Sequence, residues 1–413
     1  MLTQTQIDDI ALHLEHGEGP GSRVPVVRDT DTGGGTAPRV AAESRLPLLT
    51  EVLRALPPRP ARLVVAADLH GGTVSYLSHL RALAPALELA AVVTTVDAAH
   101  SPARGAIGQD VTVLVPDRPT DICRAAVEYA SWAARRTANP VIVQGPVGQM
   151  LDSHDAHLTG QGLRGAVESA EHDDGRDRRT TGPPPAFPVY STARSALGAV
   201  VCGPVGAALV HRLEAVLRSR LARSVTNSRV ALIGYRSRGS SAGAALHTLG
   251  ARVAVCEPDP IRACAAEFAG HRTLGYEEAL RWAEVVVDLS GDLLRDGAAL
   301  ELIRDEGVVM VPGPAWSTTP PGLIPGLVVV DSHEGLTACR TGSGALYLLS
   351  GHSAPHDAGG ELVGPLNDLM CAELYLCIRE LAARPHQRGF HHLGVQPCSD
   401  LAHRWYQIYG AAQ

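Results

Sequence analysis

Short apolar runs alternate with segments of helical periodicity from residue 43 onward. Apolar runs typical of buried strands occur in ARLVVAADLH, LELAAVVTT, VTVLVP and NPVIVQG. Helical spacing of apolar residues occurs in ESRLPLLTEVLRAL, TVSYLSHLRALA and DICRAAVEYASWAAR. Strands that alternate with helices predict a parallel sheet with both faces covered by helices.

The same alternation begins a second time at Arg229, after a long predicted helix in GPVGAALVHRLEAVLRSRLA. The apolar runs here are RVALIG, ARVAVCE, VVVDLS, GVVMVP and LVVVDS. After about residue 345, NDLMCAELYLCIRELAAR predicts an amphipathic helix that packs on the first domain. We therefore predict an α/β fold of two doubly wound, Rossmann-like parallel-sheet domains with a cleft between them.

The domain prediction divides the chain at composition changes. We expect a mobile N-terminal arm at 1–40, one α/β domain at 41–204 plus 346–413, and a second, Rossmann-like domain at 205–345. The charged and proline-rich stretch 169–188 is predicted to be a loop.

Composition narrows the classes of partner. The 413 residues carry a net charge of −7 and a pI of about 6.2, which argues against a nucleic-acid partner. We find no signal peptide and no uncharged apolar stretch of about 18 residues, so we expect a cytoplasmic protein without a membrane span. The eight cysteines form no C-x-x-C pair and are expected to be reduced core thiols.

The stretch RVALIGYRSRGSSAG has the frame of the dinucleotide fingerprint G-x-G-x-x-G. Gly234 and Gly239 occupy the first and third glycine positions, but Arg236 replaces the middle glycine. That glycine normally allows close approach of the backbone to a diphosphate. The Arg236 side chain therefore either blocks the usual NAD pose or, with Arg238, holds a phosphate from the side.

An acidic residue follows the next predicted strand. Glu257 stands where such proteins read the ribose hydroxyls, and it argues against a 2′-phosphate and therefore against NADP. The alternative is a solvated carboxylate at a strand end.

Seven blocks follow one another in the order and spacing of motifs of the S-adenosylhomocysteine hydrolase family, which the chain resembles over most of 43–400. They are SRLPLLTEVL, ARLVVAADLHGGT, TTVDAA, VALIGYRSRG with LGARVAVCEPDPIRA, LLSGHSA, PLNDLMCAELYL and GFHHL. The resemblance implies a split substrate domain, a central NAD domain and a homo-oligomer. It also implies a bound NAD that oxidises the ribose 3′-hydroxyl before homocysteine is eliminated and water is added.

Several positions match the family's motifs. His70 and His352 keep family histidines, and Asp68 and Asp97 lie near the rim that His70 marks, so these four are the candidate catalytic residues. The candidate substrate-binding residues are His70, Thr73, Gln149 and Asn367, and Asp292 stands where the family has an asparagine near the cofactor. Each of these side chains has an alternative role in capping or on the surface.

Other positions depart from the family. The best register places Ser195 at the family's lysine, and Ala199 and Val200 at its Asp-Asn pair. Gln149 replaces a family aspartate and Pro314 a family histidine, whereas Glu168 is kept without the threonine run beside it. The chain also stops before the family's C-terminal lysine and tyrosine, so we expect weaker NAD retention and a dimer more readily than a tetramer.

Three hypotheses follow from these matches and departures. The first is a diverged enzyme that acts on a nucleoside or thioether related to S-adenosylhomocysteine, with NAD as the candidate cofactor. The second is a non-catalytic nucleoside- or nucleotide-binding protein, and the third is hydrolysis of S-adenosylhomocysteine with displaced catalytic groups. No metal site is predicted, because the histidine pairs His154/His157 and His391/His392 lack a third ligand in sequence.

Overall fold

The computed structural model describes residues 46–67, 69, 71–95, 99, 102–108, 110–118, 121–146, 163–169, 185–295, 297–311, 321–333, 336–350 and 364–410. Unit 1 comprises the described residues of 46–198 and 364–410, and unit 2 those of 199–350. The predicted N-terminal arm and most of the loop at 169–188 lie outside the described residues. The predicted boundary after residue 204 lies a few residues beyond the first division, which follows residue 198. The predicted boundary after residue 345 lies before the second division, which falls between the described residues 350 and 364.

Unit 1 contains a seven-stranded sheet in which every paired strand is parallel to its neighbour. The spatial order is β15-β6-β5-β4-β1-β2-β3. β1 lies inside the sheet, with β2 and β3 on one side and β4 onward on the other, which is the doubly wound arrangement. The strands are β1 (Ala61–Ala66), β2 (Leu87–Val93), β3 (Thr112–Leu114), β4 (Val141–Gln144), β5 (Leu163–Glu168), β6 (Pro188–Ser191) and β15 (Gly389–His391).

Unit 2 contains an eight-stranded sheet with the order β12-β13-β14-β11-β10-β7-β8-β9. The six strands from β14 to β9 are parallel and have the Rossmann order, while β13 and β12 add an antiparallel edge. The strands are β7 (Arg229–Ile233), β8 (Arg252–Cys256), β9 (Arg272–Thr273), β10 (Val285–Asp288), β11 (Gly307–Val311), β12 (Val328–His333), β13 (Leu336–Thr341) and β14 (Gly344–Ser350). The prediction of two doubly wound parallel-sheet domains is confirmed.

Helices connect the strands of both units. Those of unit 1 are α1 (Pro47–Ala55), α2 (Gly71–Leu83), α3 (Ile122–Ala134), α9 (Pro365–Ala383) and α10 (Val395–Trp405). Those of unit 2 are α5 (Ser237–Thr248), α6 (Pro260–Phe268), α7 (Tyr276–Trp282) and the single turn α8 (Gly297–Leu300), and α4 (Ala196–Leu221) begins at the division between the units. The predicted amphipathic helix near the C-terminus is α9, which packs within unit 1.

α4 is a core helix of unit 2. Val210, Leu213 and Leu217 are buried in the core of that unit, and Glu214 accepts a hydrogen bond from the Val225 backbone N–H at 2.8 Å. Among the described helices, α4 alone is long and apolar enough to cross a membrane by length and composition. Its buried side in the core of unit 2 gives a simpler reason for this apolar character.

Candidate functional site

The strands of unit 2 bring the fingerprint residues to one edge of the sheet. β7 lies between β8 and β10, and the chain reverses direction of winding at this point. Ligands of doubly wound sheets bind at the carboxyl ends of the strands beside such a switch point. Gly234, Glu257 and Asp288 all lie at these ends, where the Gly234 N–H donates to the Cys256 carbonyl at 2.9 Å.

The turn between β7 and α5 requires glycine at two positions. Gly234 has φ of +90°, a conformation that favours glycine. A Cβ at Gly239 would lie 2.2 Å from the Gly234 carbonyl oxygen, so no larger residue fits there without moving the backbone. The turn therefore has the close packing of strand and helix that the third fingerprint glycine provides.

Arg236 has an ordinary backbone conformation, with φ of −80° and ψ of −170°, directly before α5. Glycine is therefore not required there by the backbone, and the arginine changes only the space and charge. The pKa of Asp259 is lowered, first by the hydrogen bond from the Arg262 backbone N–H, and the Arg236 guanidinium contributes. Arg236 thus lies within electrostatic range of the β8–α6 turn, while Arg238 is half-buried in the first turn of α5.

The side chain of Glu257 is buried and hydrogen-bonded, so it is not the solvated strand-end carboxylate that the sequence offered as the alternative. Its side chain is 2% exposed. The Tyr235 backbone N–H donates to Oε2 at 2.7 Å, and the Asp259 backbone N–H donates to Oε1 at 2.9 Å. The Arg262 guanidinium forms an ion pair with the same Oε1 at 2.9 Å.

Asp288 organises the neighbouring turn after β10. Its fully buried carboxylate accepts hydrogen bonds from the N–H and hydroxyl of Ser290 and from the backbone N–H groups of Gly291 and Leu293. The pKa of this carboxyl is raised, because the effect of burial exceeds the lowering by these four hydrogen bonds. They hold the turn that places the predicted cofactor residue Asp292 at the edge of the sheet. The signal for Asp288 in the sequence was an acid directly followed by L-S-G-D.

Tyr235 of the fingerprint turn packs against the side chain of His271. The Tyr235 ring meets the His271 ring edge-on at a centroid distance of 5.6 Å, and His271 is buried. Burial, followed by the nearby His247, lowers the pKa of His271, which favours a neutral imidazole. A Cβ at Gly243 would lie 2.9 Å from His271 Nε2, so this glycine gives the histidine its space.

Most of the residues predicted for the substrate site lie outside the described residues, namely Asp68, His70, Asp97, Gln149 and His352, and so does Pro314, which replaces a family histidine. Thr73 is half-buried in the first turn of α2. Asn367 is buried in the first turn of α9, where its Oδ1 accepts a weak hydrogen bond from Cys371 Sγ at 3.6 Å. Asn367 is therefore not a surface residue of that helix.

The carboxyl ends of β4, β5 and β6 carry three buried polar side chains. Gln144 accepts a hydrogen bond from the Tyr76 hydroxyl at 3.1 Å. Glu168 ends β5 and pairs in register with Ser191 at the end of β6. Because such ends form the ligand edge of a parallel sheet, Glu168 lies where a substrate residue is expected. The sequence pattern indicated Glu168 but not Gln144 or Ser191.

Ser195 is the N-cap residue of α4. Its hydroxyl accepts a hydrogen bond from the Gly198 N–H at 2.8 Å and donates to the Thr192 carbonyl at 2.9 Å, so it caps the beginning of α4. Ala199 and Val200, aligned with the family's Asp-Asn pair, are exposed. In this register the three positions carry no ionisable side chain.

Glu373 on α9 lies against Ser195. Its side chain is buried, and Oε1 has no hydrogen-bond partner. Burial raises the pKa of Glu373 to about 7, and the hydrogen bond with Ser195 partly offsets this. A carboxyl whose pKa lies near neutral pH is thus present inside unit 1, at a position that the sequence pattern did not single out.

The described residues contain no group of three or more His, Cys, Asp or Glu side chains arranged to hold a metal ion.

Strand order and the turn after β7 together define unit 2 as a domain of the Rossmann type. Residues 216–313 match the family model described as "S-adenosyl-L-homocysteine hydrolase, NAD binding domain". The predicted resemblance to the S-adenosylhomocysteine hydrolase family is confirmed by this domain.

Solved structures of other proteins show weaker similarity. One is a transhydrogenase from Sinorhizobium meliloti, at 12% identity, with 77% of this chain and 93% of that chain covered and a TM-score of 0.32. Another is an L-alanine dehydrogenase, at 12% identity, 83% and 99% coverage and a TM-score of 0.35. A third is a D-lactate dehydrogenase from Escherichia coli, at 13% identity, 62% and 75% coverage and a TM-score of 0.31.

Proposed function

We propose that this chain is a diverged relative of S-adenosylhomocysteine hydrolase that binds NAD in unit 2. We propose further that it acts on a nucleoside or thioether related to S-adenosylhomocysteine. The observation that carries the proposal is the contact between Gly239 and the Gly234 carbonyl, which leaves no room for a Cβ. This close approach of α5 to β7 is the geometry that the dinucleotide fingerprint serves.

The residues of unit 2 fit NAD at most of the expected positions. The N-terminus of α5 offers backbone N–H groups to a diphosphate, and Glu257 and Asp292 lie at the carboxyl ends of the strands on either side of β7. Bound NAD would supply reversible acceptance of a hydride from a ribose carbon. The attraction between Arg236 and Asp259 supports the arrangement in which Arg236 lies beside the diphosphate instead of over it.

The capping role of Ser195 supports divergence of the chemistry. A lysine or an Asp-Asn pair at the aligned positions would supply proton transfer, but these positions carry Ser195, Ala199 and Val200. An active enzyme therefore needs other acids and bases, for which Asp68, His70, Asp97 and His352 remain our candidates. The same substitutions favour the second hypothesis, a non-catalytic protein that binds a nucleoside or nucleotide.

Two measurements on the purified protein test the proposal. Mass and absorbance of the supernatant after denaturation reveal any co-purified NAD. Thermal unfolding with added NAD, adenosine or S-adenosylhomocysteine reveals binding as a rise in Tm that grows with ligand concentration. We expect a rise with NAD and with one nucleoside-type ligand. The absence of any shift, together with no co-purified nucleotide, would refute both nucleoside hypotheses.

Release of homocysteine separates the enzyme hypotheses. Wild-type protein and the His70→Ala variant are incubated with S-adenosylhomocysteine, and free thiol is measured. A diverged enzyme predicts no release above background, whereas hydrolysis with displaced groups predicts release that His70→Ala reduces. Binding of ligands without turnover of any nucleoside or thioether would favour the non-catalytic protein.

A further inference from the structure

Glu257 is the predicted ribose-binding carboxylate of unit 2. Most of its hydrogen-bond acceptor positions are used by donors of the protein itself. An ionised carboxylate has about four acceptor positions. Glu257 uses three of them, for the Tyr235 N–H, the Asp259 N–H and the Arg262 guanidinium. Both positions on Oε1 are occupied, so Oε2 retains one acceptor position. One ribose hydroxyl can be accepted there, but a diol cannot be held by both oxygens.

Arg262 adds a positive charge beside the Glu257 carboxylate. It forms the ion pair with Glu257 Oε1 at 2.9 Å and lies 3.5 Å from Asp259 Oδ2. The Glu257 side chain is 2% exposed, the Arg262 side chain 22% and the Asp259 side chain 32%, so Arg262 and Asp259 are both more exposed than Glu257. A solvent-borne ligand at this edge therefore meets the Arg262 and Asp259 side chains before the Glu257 carboxylate.

The usual reason for rejecting a 2′-phosphate is absent in this arrangement. A free acidic side chain repels the phosphate and needs the 2′-hydroxyl as its donor, and an arginine nearby accommodates the phosphate instead. Here the two negative charges of Glu257 and Asp259 are matched by Arg262, which pairs with both, and by Arg236, which lies within electrostatic range of the same turn. Guanidinium groups suit phosphate oxygens in both geometry and charge.

We infer that unit 2 accepts a dinucleotide whose adenosine ribose carries a 2′-phosphate, and that Arg262 is the residue that determines this specificity. The inference rests on the proposed dinucleotide site. It reverses the expectation from the sequence, in which Glu257 alone argues for NAD over NADP. In this arrangement Glu257 accepts the 3′-hydroxyl through Oε2, and the Arg262 guanidinium contacts the phosphate.

Isothermal titration of the full chain with NAD and NADP tests the inference, after co-purified nucleotide has been removed. The wild-type protein is expected to bind NADP with a Kd within about tenfold of that for NAD. Arg262→Gln is expected to weaken NADP binding by about tenfold or more and to change NAD binding by less than about threefold. Arg262→Lys keeps the charge and is expected to retain most of the affinity for NADP.

Arg281→Gln is the matched control. Arg281 forms an exposed ion pair with Glu277 on α7, so the variant loses the same charge from the same unit. We expect both Kd values to stay at wild-type level. Thermal unfolding of each variant without nucleotide establishes that it is folded.

Three outcomes would overturn the inference. Wild-type protein that binds NAD but rejects NADP by a hundredfold or more refutes the specificity and leaves the proposed function standing. Equal loss of both nucleotides in Arg262→Gln refutes the specific role of Arg262. Binding of neither nucleotide by wild-type protein refutes the proposed NAD site together with this inference.

Discussion

Gly239 has the least tolerance for substitution among the residues of the fingerprint turn. We expect Gly239→Ala to destabilise unit 2 by about 2–3 kcal/mol, because its Cβ would lie 2.2 Å from a backbone oxygen that cannot rotate away. Gly275→Ala is the control, since a Cβ there meets nothing within 4 Å, and it should cost no more than about 1 kcal/mol, the loss expected for alanine at the N-cap of α7. Urea unfolding of both variants measures the difference. Equal stability of the two variants would contradict the close packing of β7 and α5.

Glu373 makes the stability of the protein depend on pH. Its pKa is raised from 4.5 to about 7 in the folded protein, so the folded state binds this proton more tightly than the unfolded state. The contribution is fully present below about pH 4.5 and is lost as the pH rises to about 7, with a maximum of about 3 kcal/mol. We expect Glu373→Gln to flatten the fall in unfolding free energy between pH 5 and pH 8.

Glu380→Gln serves as the control for this pH dependence. Glu380 lies on the same helix, but its side chain is 32% exposed and pairs with Arg384. This variant should keep the wild-type slope. If Glu373→Gln also keeps that slope, the buried carboxyl does not titrate in this range.

Single residues could be predicted from the sequence where the spacing of a motif defines their positions. Gly234, Gly239 and Glu257 could be placed because the fingerprint has a fixed frame on a strand, a turn and a helix. Arg262 could not be assigned, since its ion pair with Glu257 depends on how α6 follows β8. The four-donor arrangement around Asp288 also depends on a turn whose conformation the sequence pattern does not specify.

Asp368 ties two helices that are far apart in the sequence. Its buried carboxylate accepts the backbone N–H groups of Leu48 at 2.7 Å and Leu49 at 2.9 Å, and so caps the beginning of α1 from α9. The Tyr409 hydroxyl donates to the same carboxylate at 2.7 Å. The N-terminus of α1 thus obtains its acceptor from a residue more than 300 positions away.

We expect Asp368→Ala to destabilise unit 1 by about 3 kcal/mol, because it leaves three donors without their acceptor in a buried place. Asp400→Ala on α10 removes a carboxylate that accepts from Gln396 at an exposed position. That control should cost less than about 0.5 kcal/mol. Thermal unfolding gives both values, and a small effect of Asp368→Ala would show that the cap contributes little.

Elements with strong periodicity were predicted well, whereas six strands were not predicted, namely β5, β6, β9, β13, β14 and β15. The run VVVDLS became β10 and DICRAAVEYASWAAR became α3. β6 and β15 were missed because they are only four and three residues long, and β5 was missed although it has six residues and lies inside the sheet. LTACRT and GALYLLS form β13 and β14, and the predicted boundary at 345/346 falls within β14, which pairs with β11. The three exposed valines of β12 follow from its place at the edge of the sheet.

The cysteines provide a test of packing over the whole molecule. All eight lie in described residues; seven are buried, and Cys264 on α6 is exposed. We expect one thiol to react rapidly with a disulfide reagent in the native protein and all eight to react in denaturant. Cys264→Ser should remove the rapid phase. A second rapidly reacting thiol in native protein would contradict the burial of the other seven.

At the scale of the whole molecule, both doubly wound units could be predicted from alternating strands and helices. The substrate site could not be established to the same degree. Its candidates come from different strands and helices, and most lie outside the described residues. Unit 2 could be interpreted further, because a fingerprint turn brings its binding residues together within one short segment.

Binding of NAD to unit 2 is the central claim, and isothermal titration of nucleotide-free protein tests it most directly. We predict one NAD site per chain in wild-type protein and in Gly275→Ala, and loss of that site in Gly239→Ala. Absence of binding in wild-type protein, or binding that Gly239→Ala leaves unchanged, would contradict a dinucleotide site at this turn.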